Sequence, residues 1–327
     1  MKKVGVTLLL GAASAILLAL SPAMAADWRA DVVPAAGRVT AVEAKDGEVR
    51  VAIGQNWYRL VDNAKQLESA SPPVRPAVPS GALPDARVAV GDGVVARAWL
   101  GEPTTRYQHG VLGDAIEAGS LVIERRDGRR DTVRLGPEAV FEDIEPRIAR
   151  IGGAERIVIV KSYLDRGSAL AIVDAETASI VAETPPIGHP NAWLNPAGIA
   201  DFTGNGAAAI ALVRQPHVAG ILELWSLVNG KLHKSAETAD ASNHVIGSRV
   251  LGMSATADFD GDGRPDLAVP SLDRRSLRLI GFNPRSYDIA RVPLPARTAT
   301  NIATTFVRGR VALVAGLEDG RLVVIHD

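Results

Sequence analysis

Four aspartates alternate with other residues in one short segment of the chain. Asp258, Asp260, Asp262 and Asp266 occupy positions 1, 3, 5 and 9 of this segment, and Gly263 occupies position 6. Calcium takes six to eight oxygen ligands at about 2.3–2.6 Å, and alternate side chains of a tightly curled loop can face one ion. Four carboxylates this close together would repel one another without a cation. The segment therefore predicts a calcium site.

The residues after the aspartates separate this segment from an EF-hand. Position 12 is Val269, where an EF-hand needs a bidentate Glu, and Val269 belongs to an apolar run that predicts a strand. Arg264, at position 7, is expected to contribute only its main-chain carbonyl. We therefore expect the ion to join two strands and to have a structural role.

A second, weaker copy of the loop begins at Asp201. The residues at its matching positions are Asp201, Thr203, Asn205 and Ala209. Only the first is a carboxylate and the last has no side-chain oxygen, so a degenerate metal loop around Asp201 and Asn205 is predicted, with an empty structural turn as the favoured interpretation.

A possible ligand-binding loop contains an imidazole, an indole and two amides between prolines. These groups belong to His189, Asn191, Trp193 and Asn195. Trp with Asn is suitable chemistry for a sugar or peptide ligand. The alternative is that Trp193 fills a gap between neighbouring structural units.

Linear catalytic motifs are absent from the sequence. There is no GxSxG, HExxH, P-loop or dinucleotide fingerprint, the six histidines show no ligand spacing, and the chain has no cysteine that could act as a thiol nucleophile. The sequence therefore predicts a non-catalytic protein, although distant loops can still assemble a site.

Composition and repetition predict the elements that position these residues. The 31 Gly and 20 Pro punctuate a chain that is 47% hydrophobic, which is typical of many short strands and turns. Six segments, spaced 46 to 60 residues apart, share an apolar strand, a Gly turn and a second apolar strand. Their turn glycines are Gly47, Gly93, Gly153, Gly206, Gly263 and Gly309. This period predicts an all-β fold, a β-propeller of about six four-stranded blades, with five or seven possible.

Two further stretches bear on the ring. The last unit ends after its third strand, and the spare stretch 28–33 is expected to close the ring by pairing with it, which removes an unpaired edge. Residues 69–84 contain five prolines and predict a surface loop. The alternative is a linker that leaves residues 26–68 as a separate element and the ring with fewer blades.

The segment ADFDGDGRPDLAV and the weaker ADFTGNGAAAIAL resemble the FG-GAP/VCBS repeat. This repeat is the calcium-loop blade known from integrin α-subunit propellers and many secreted bacterial proteins. The resemblance implies that Asp258, Asp260, Asp262 and Asp266 are side-chain ligands of calcium. The other units share only the rhythm of strands and turns, so the several calcium-loaded blades of the family are not expected here.

The first residues predict export. Lys2 and Lys3 precede an apolar run, 4–20, and Ala23 and Ala25 supply a small-residue cleavage site. A signal peptide over 1–25 and a single mature domain over 26–327 are predicted, with a periplasmic or secreted location and no stable membrane insertion. The formal net charge of −1 does not favour a nucleic-acid binder.

Together these features predict a monomeric, exported binding or scaffold propeller with calcium as its cofactor and a protein or envelope component as its partner. Two alternatives stay open. One is a propeller-type enzyme with a site at the axis, such as a lyase, a hydrolase or a quinone-cofactor oxidoreductase. The other is calcium-dependent adhesion.

Overall fold

The computed structural model describes residues 27–45 and 47–327, which form 25 strands and no helix. The predicted signal peptide lies outside the described residues. Within the described part of the chain, no helix has the length and apolarity needed to cross a membrane. The predicted all-β class is confirmed.

The strands form six antiparallel four-stranded units, which we call blades 1 to 6. Strand β1 covers Arg29–Val33. Blade 1 contains β2 (Val39–Lys45), β3 (Glu48–Ile53), β4 (Asn56–Val61) and β5 (Gln66–Ala70). Blade 2 contains β6 (Ala89–Val90), β7 (Val95–Thr104), β8 (Glu117–Arg125) and β9 (Arg130–Arg134). After β10 (Ala139–Phe141), blade 3 contains β11 (Arg147–Ile151), β12 (Ala154–Tyr163), β13 (Gly167–Asp174) and β14 (Ser179–Glu183).

The second half of the chain repeats the same order. Blade 4 contains β15 (Leu194–Ala200), β16 (Ala209–Arg214), β17 (Ile221–Val228) and β18 (Lys231–Thr238). Blade 5 contains β19 (Ala255–Ala257), β20 (Asp266–Pro270), β21 (Ser276–Gly281) and β22 (Tyr287–Pro293). Blade 6 contains β23 (Thr298–Val307), β24 (Arg310–Leu317) and β25 (Leu322–His326), with β1 as its fourth strand.

The pairing of β1 with β25 closes the ring. Arg29 lies opposite His326 and Val33 lies opposite Leu322, in an antiparallel register. The edge of β25 is therefore covered by the N-terminal strand, and the predicted closure is confirmed.

Strand β10 joins blades 2 and 3 into one nine-stranded sheet. Phe141 pairs with Ala118 of β8, while Ala139 pairs with Tyr163 of β12. This linking strand is only three residues long, and no sequence pattern predicted it.

Each predicted glycine turn connects the first strand of a blade to the second. Five of the six turn glycines have φ between +78° and +84°, a region that favours glycine, and these are Gly47, Gly153, Gly206, Gly263 and Gly309. Because successive strands are antiparallel, all these turns lie at one end of the ring, which we call the hairpin end. The loops between second and third strands and the crossings between blades lie at the opposite end, which we call the connection end.

Buried apolar clusters fill five of the six gaps between blades in the described part of the chain. They lie between blades 2 and 3, 3 and 4, 4 and 5, 5 and 6, and 6 and 1. The gap between blades 1 and 2 differs, because the chain crosses it through residues 71–88, which include the proline-rich stretch. Strand β5 ends at Ala70, so the first two residues of the predicted loop, 69–84, belong to a strand.

Candidate functional site

The predicted calcium loop lies between β19 and β20, at the hairpin end of blade 5. Carboxylate oxygens of Asp258, Asp260 and Asp262 lie within 4.8 Å of one another. Asp258 is half-buried, and the other two aspartates are exposed. Three of the four predicted side-chain ligands thus converge at a position open to solvent.

Backbone donors hold the converging carboxylates in place. Asp258 accepts hydrogen bonds from the N–H groups of Gly261 at 2.7 Å and Gly263 at 2.9 Å. Asp262 accepts one from the N–H of Arg264 at 2.8 Å and also pairs with the Arg264 guanidinium. The Arg264 side chain therefore pairs with one of the predicted ligands, and its main-chain carbonyl stays the group predicted to contact the ion.

Asp266 lies behind the other three aspartates and is buried. Its carboxylate accepts a hydrogen bond from the N–H of Phe259 at 2.9 Å. Burial, and then the charges of Asp260, Asp262 and Asp258, raises the pKa of Asp266 to about 7. This set of carboxylate oxygens suits a hard cation such as calcium, because such ions take oxygen ligands.

The weaker loop in blade 4 has the same kind of backbone capping with fewer acids. Asp201 accepts hydrogen bonds from the N–H groups of Asn205 at 3.0 Å and Gly206 at 2.7 Å. The Asn205 carboxamide oxygen accepts one from the N–H of Ala207 at 2.9 Å. The two polar side chains thus close the turn.

The structure separates the four residues of the predicted ligand-binding loop. His189 and Asn191 are exposed, while Trp193 is 3% exposed and Asn195 is fully buried. Trp193 packs in the cluster between blades 3 and 4, and its indole N–H donates to the main-chain oxygen of Glu142 at 3.1 Å. Burial keeps Trp193 and Asn195 away from a ligand, so of the two interpretations of this loop the structure favours the one in which Trp193 fills the gap between two blades.

Asn195 is held by main-chain carbonyls. Its amide donates to the carbonyl oxygens of Asn243 at 3.3 Å and Leu251 at 3.0 Å. Asn243 in turn donates to the carbonyl oxygens of Asn195 and Pro196. These bonds join the start of β15 to the crossing between blades 4 and 5, so Asn195 positions the backbone.

Two histidines lie against Trp193, although their positions in the sequence did not predict that they would cluster. Its ring stacks on His217 with a centroid distance of 6.2 Å and lies 4.7 Å from His244. His217 and His244 share a hydrogen bond of 2.9 Å. Burial lowers the pKa of His217 to about 4 and that of His244 to about 3, so both are neutral at pH 7.

A buried carboxylate network, which no sequence motif indicated, ties blade 2 to blade 3. The fully buried Glu142 accepts a hydrogen bond from the Ser162 hydroxyl, and its other oxygen lies 2.5 Å from Nδ1 of His109. The hydroxyl oxygens of Ser162 and Ser168 share a hydrogen bond of 2.6 Å. Burial raises the pKa of Glu142, while the bond to His109 opposes this shift. The network fixes the loop between β7 and β8 onto blade 3.

A cavity of about 440 Å³ lies inside the ring at the gap between blades 1 and 2. Its walls come from the proline-rich segment and from residues on or just before the first strands of five blades. The charged and polar lining residues are Glu43, Arg75, Arg87, Glu145, Ser254 and Asn301. A second cavity of about 380 Å³ shares Arg87, Glu145, Gly252 and Asn301 with the first. We call the two together the axial cavity.

Charges in the axial cavity are only partly paired. Arg75 pairs with Glu43, whereas the nearest atoms of Arg87 and Glu145 are 3.9 Å apart. Burial, followed by the charge of Arg75, lowers the pKa of Arg87. Burial raises the pKa of Glu145. No sequence pattern indicated this cavity, because its lining residues are far apart along the chain.

Comparisons with known proteins give no family for the chain. No protein-family model matches it, and no curated protein matches it. It is similar to the β-propeller domain of Cps50 (Swd1) from Myceliophteria thermophila, at 11% identity and a TM-score of 0.49 over 90% of this chain and 98% of that chain. It is also similar to BamB from Moraxella catarrhalis, at 13% identity and a TM-score of 0.39 over 88% and 71% of the two chains. For BBS1N, solved in complex with ARL6DN, the identity is 12% and the TM-score 0.44, over 85% and 73%. Since these TM-scores are below 0.5, the assignment of the fold depends on the strand pairing itself.

Proposed function

We propose that the chain is an exported, non-catalytic binding propeller whose connection end presents a rigid face to a protein or envelope partner. The observation that carries this proposal is the network of direct bonds between the loops of different blades at that end. A preformed surface of this kind loses little conformational entropy when a partner binds.

Hydrogen bonds and ion pairs link these loops over blades 2 to 4. The N–H of Gly247 donates to the carbonyl of Val111 at 2.9 Å, and Arg249 pairs with Asp114 at 2.6 Å. The N–H of Asn191 donates to the Tyr107 hydroxyl at 3.1 Å. Loops that are more than 80 residues apart in sequence therefore form one continuous surface.

The same end carries exposed apolar side chains on blades 4 and 5. Val218 is 76% exposed, Ile246 is 67% exposed and Leu272 is 37% exposed. Leu272 lies against Gly220, close to Val218 in the chain. Grouped apolar side chains on a rigid surface are typical of protein contacts.

For the hairpin end, we propose a structural calcium ion. Asp258, Asp260, Asp262 and Asp266 would hold it, as the FG-GAP/VCBS resemblance implies. When bound, the ion would neutralise the repulsion among these acids and fix the hairpin between β19 and β20. The proposed export depends on the signal-like residues 1–25.

The charged axial cavity is the observation that favours the enzyme alternative. Arg87 and Glu145 lie in a cavity large enough for a small ligand, and enzymes often place charged groups in such clefts. If the protein is an enzyme with its site in this cavity, the unaltered protein converts a substrate and Arg87→Gln abolishes that activity.

A pair of single cysteines tests the proposed binding face. The chain contains no cysteine, so Val218→Cys at the connection end and Ala207→Cys at the hairpin end each create a unique attachment point for a benzophenone photocrosslinker. Both positions are exposed. In an envelope extract of the source organism, we expect irradiation to give a discrete adduct, seen by mass spectrometry, with Val218→Cys and none with Ala207→Cys.

The Ala207→Cys protein is the matched control for random collisions. Equal adducts from both positions, or adducts from neither, would contradict the proposal that the connection end is a binding face.

A further inference from the structure

The Arg87 guanidinium is the least satisfied cation in the axial cavity. A guanidinium has five N–H donors. Within the described part of the chain, Arg87 makes one long hydrogen bond, to the carbonyl of Arg249 at 3.4 Å, and its nearest carboxylate, Glu145, is 3.9 Å away. Most of its donors are therefore left for water or a ligand.

The backbone around Arg87 is fixed. Its N–H donates to the carbonyl of Ile144 at 3.0 Å, which attaches the segment before β6 to the segment before β11. Asn301 accepts a hydrogen bond from the N–H of Gly252 at 3.0 Å through its oxygen, so its amide N–H groups stay available as further donors. The donors are thus positioned before a ligand arrives.

Apolar groups form another part of the wall. Pro73, Pro76 and Val78 of the proline-rich segment and Ile302 of β23 line the same cavity. A volume of about 440 Å³ lies in the range typical of pockets for small organic ligands. Hydrogen-bond donors beside apolar walls suit a molecule with an anionic head and a hydrocarbon body.

We propose that the axial cavity binds an organic carboxylate, with the carboxylate on Arg87 and the hydrocarbon body against the proline-rich segment and Ile302. A planar guanidinium can bind a carboxylate through two parallel hydrogen bonds, which favours this group over a spherical anion. The carboxylate comes either from a free small molecule or from the C-terminus of a polypeptide. This site goes beyond the proposed binding face and does not depend on it.

Glu145 competes with the ligand for Arg87. Its carboxylate is the nearest one to the guanidinium, so a neutral amide at this position leaves more of the positive charge for an incoming carboxylate. Arg75 is already paired with Glu43 in the same wall, so Arg87 is the cation that an incoming carboxylate would use. The two substitutions Arg87→Gln and Glu145→Gln therefore have opposite expected effects.

Calorimetric titration of the intact mature protein at low salt tests the site. The probes are hexanoate, its neutral counterpart hexanamide, inorganic phosphate, and the peptide acetyl-Val-Pro-Val with a free C-terminal carboxylate. We expect hexanoate or the peptide to bind and hexanamide not to bind. Arg87→Gln should weaken binding by about tenfold or more, as expected for the loss of a charge-assisted pair, and Glu145→Gln should strengthen it.

Arg285→Gln is the control, because it removes the same charge from an exposed residue between β21 and β22. The Arg285→Gln variant should bind the carboxylate probes with the affinity of the unaltered protein. Melting curves confirm that each variant is folded. Binding of the peptide without hexanoate would assign the carboxylate to a polypeptide terminus, and the reverse to a small molecule. The proposal would be overturned if hexanoate and hexanamide bind equally, or if inorganic phosphate binds more tightly than the carboxylates. It would also be overturned if neither hexanoate nor the peptide binds, or if Arg87→Gln binds them with the affinity of the unaltered protein. The photocrosslinking result at the connection end is independent of all these outcomes.

Discussion

Glu117 is a buried acid at the start of β8 whose charge the fold does not favour. It is 2% exposed, and burial, followed by the charges of Glu142, Asp114, Asp85 and Asp143, raises its pKa to about 9. An unfolded Glu titrates near pH 4.3. At neutral pH the folded protein therefore keeps a proton on Glu117 that the unfolded chain has released.

This difference makes stability depend on pH in a defined direction. Since the folded pKa is the higher one, folding takes up a proton between about pH 4.5 and 9, and the free energy of unfolding decreases as pH rises through that window. Glu117→Gln removes the titrating group while keeping the shape. We expect the variant to be more stable than the unaltered protein by about 1–3 kcal/mol near the top of the window, with a smaller difference near pH 5.

Urea unfolding at both ends of the window measures this effect. Glu237→Gln is the control, because Glu237 is an exposed acid on β18 whose pKa is lowered by its bond to Lys234. Equal pH dependence of stability in Glu117→Gln and the unaltered protein would show that Glu117 does not carry the effect.

The hairpin between β19 and β20 is the element most dependent on a cation. Its strands are short, β19 having only three residues, so few ladder hydrogen bonds hold the loop. A cation bound by the loop would add contacts to both strands at once. The ring contact between Phe259 of this loop and Trp28, at 5.8 Å, extends the effect to the N-terminal segment.

Calcium removal should therefore lower the melting temperature. At the affinities of extracellular modules, the stabilisation is on the order of 1 kcal/mol, roughly 2 °C for a chain of this size. We expect EDTA to lower the melting temperature of the unaltered protein, and Asp260→Ala to abolish the response to calcium while the far-ultraviolet circular dichroism is unchanged.

Asp319→Ala provides the comparison for this experiment. Asp319 also caps a hairpin turn, through the N–H of Arg321 at 3.1 Å, and pairs with the Arg321 guanidinium. Its loss should leave the calcium response intact. If EDTA has no effect on the unaltered protein, or if more than one calcium binds per chain, the single structural site is contradicted.

The sequence predicted what is encoded locally. The turn glycines and the apolar strands beside them, such as those around Gly263 and Gly309, were sufficient to predict about six blades because each hairpin forms from neighbouring residues. Strand β10 was missed because three residues carry no periodic pattern. Arg87 was missed because its surroundings come from five blades, and two interpretations of Trp193 stayed open because burial between blades leaves no local sign.

At the scale of the ring, the six gaps between blades are unequal. Five are packed with apolar side chains, and the sixth contains the proline-rich segment and a charged cavity. Because the ring is closed, blade 1 is still held by its apolar contact with blade 6, although its contact with blade 2 is polar. The apolar cluster between those two blades includes Val33 of β1 and Val51 of β3. Closure by β1 therefore compensates for the polar gap on the other side of blade 1.

Removing β1 should open the ring at its closing blade. A chain beginning at Pro34 loses the five-residue pairing with β25 and the buried Trp28, a cost of more than about 3 kcal/mol, and it exposes the edge of β25. We expect a lower melting temperature and concentration-dependent self-association, measured by light scattering after gel filtration.

A chain beginning at Asp27 is the control and should stay monodisperse. A synthetic peptide of residues 27–33 should restore part of the lost stability, because it can pair with the exposed strand. A chain beginning at Pro34 with the melting temperature and size of the control would show that the ring does not depend on this strand for its closure.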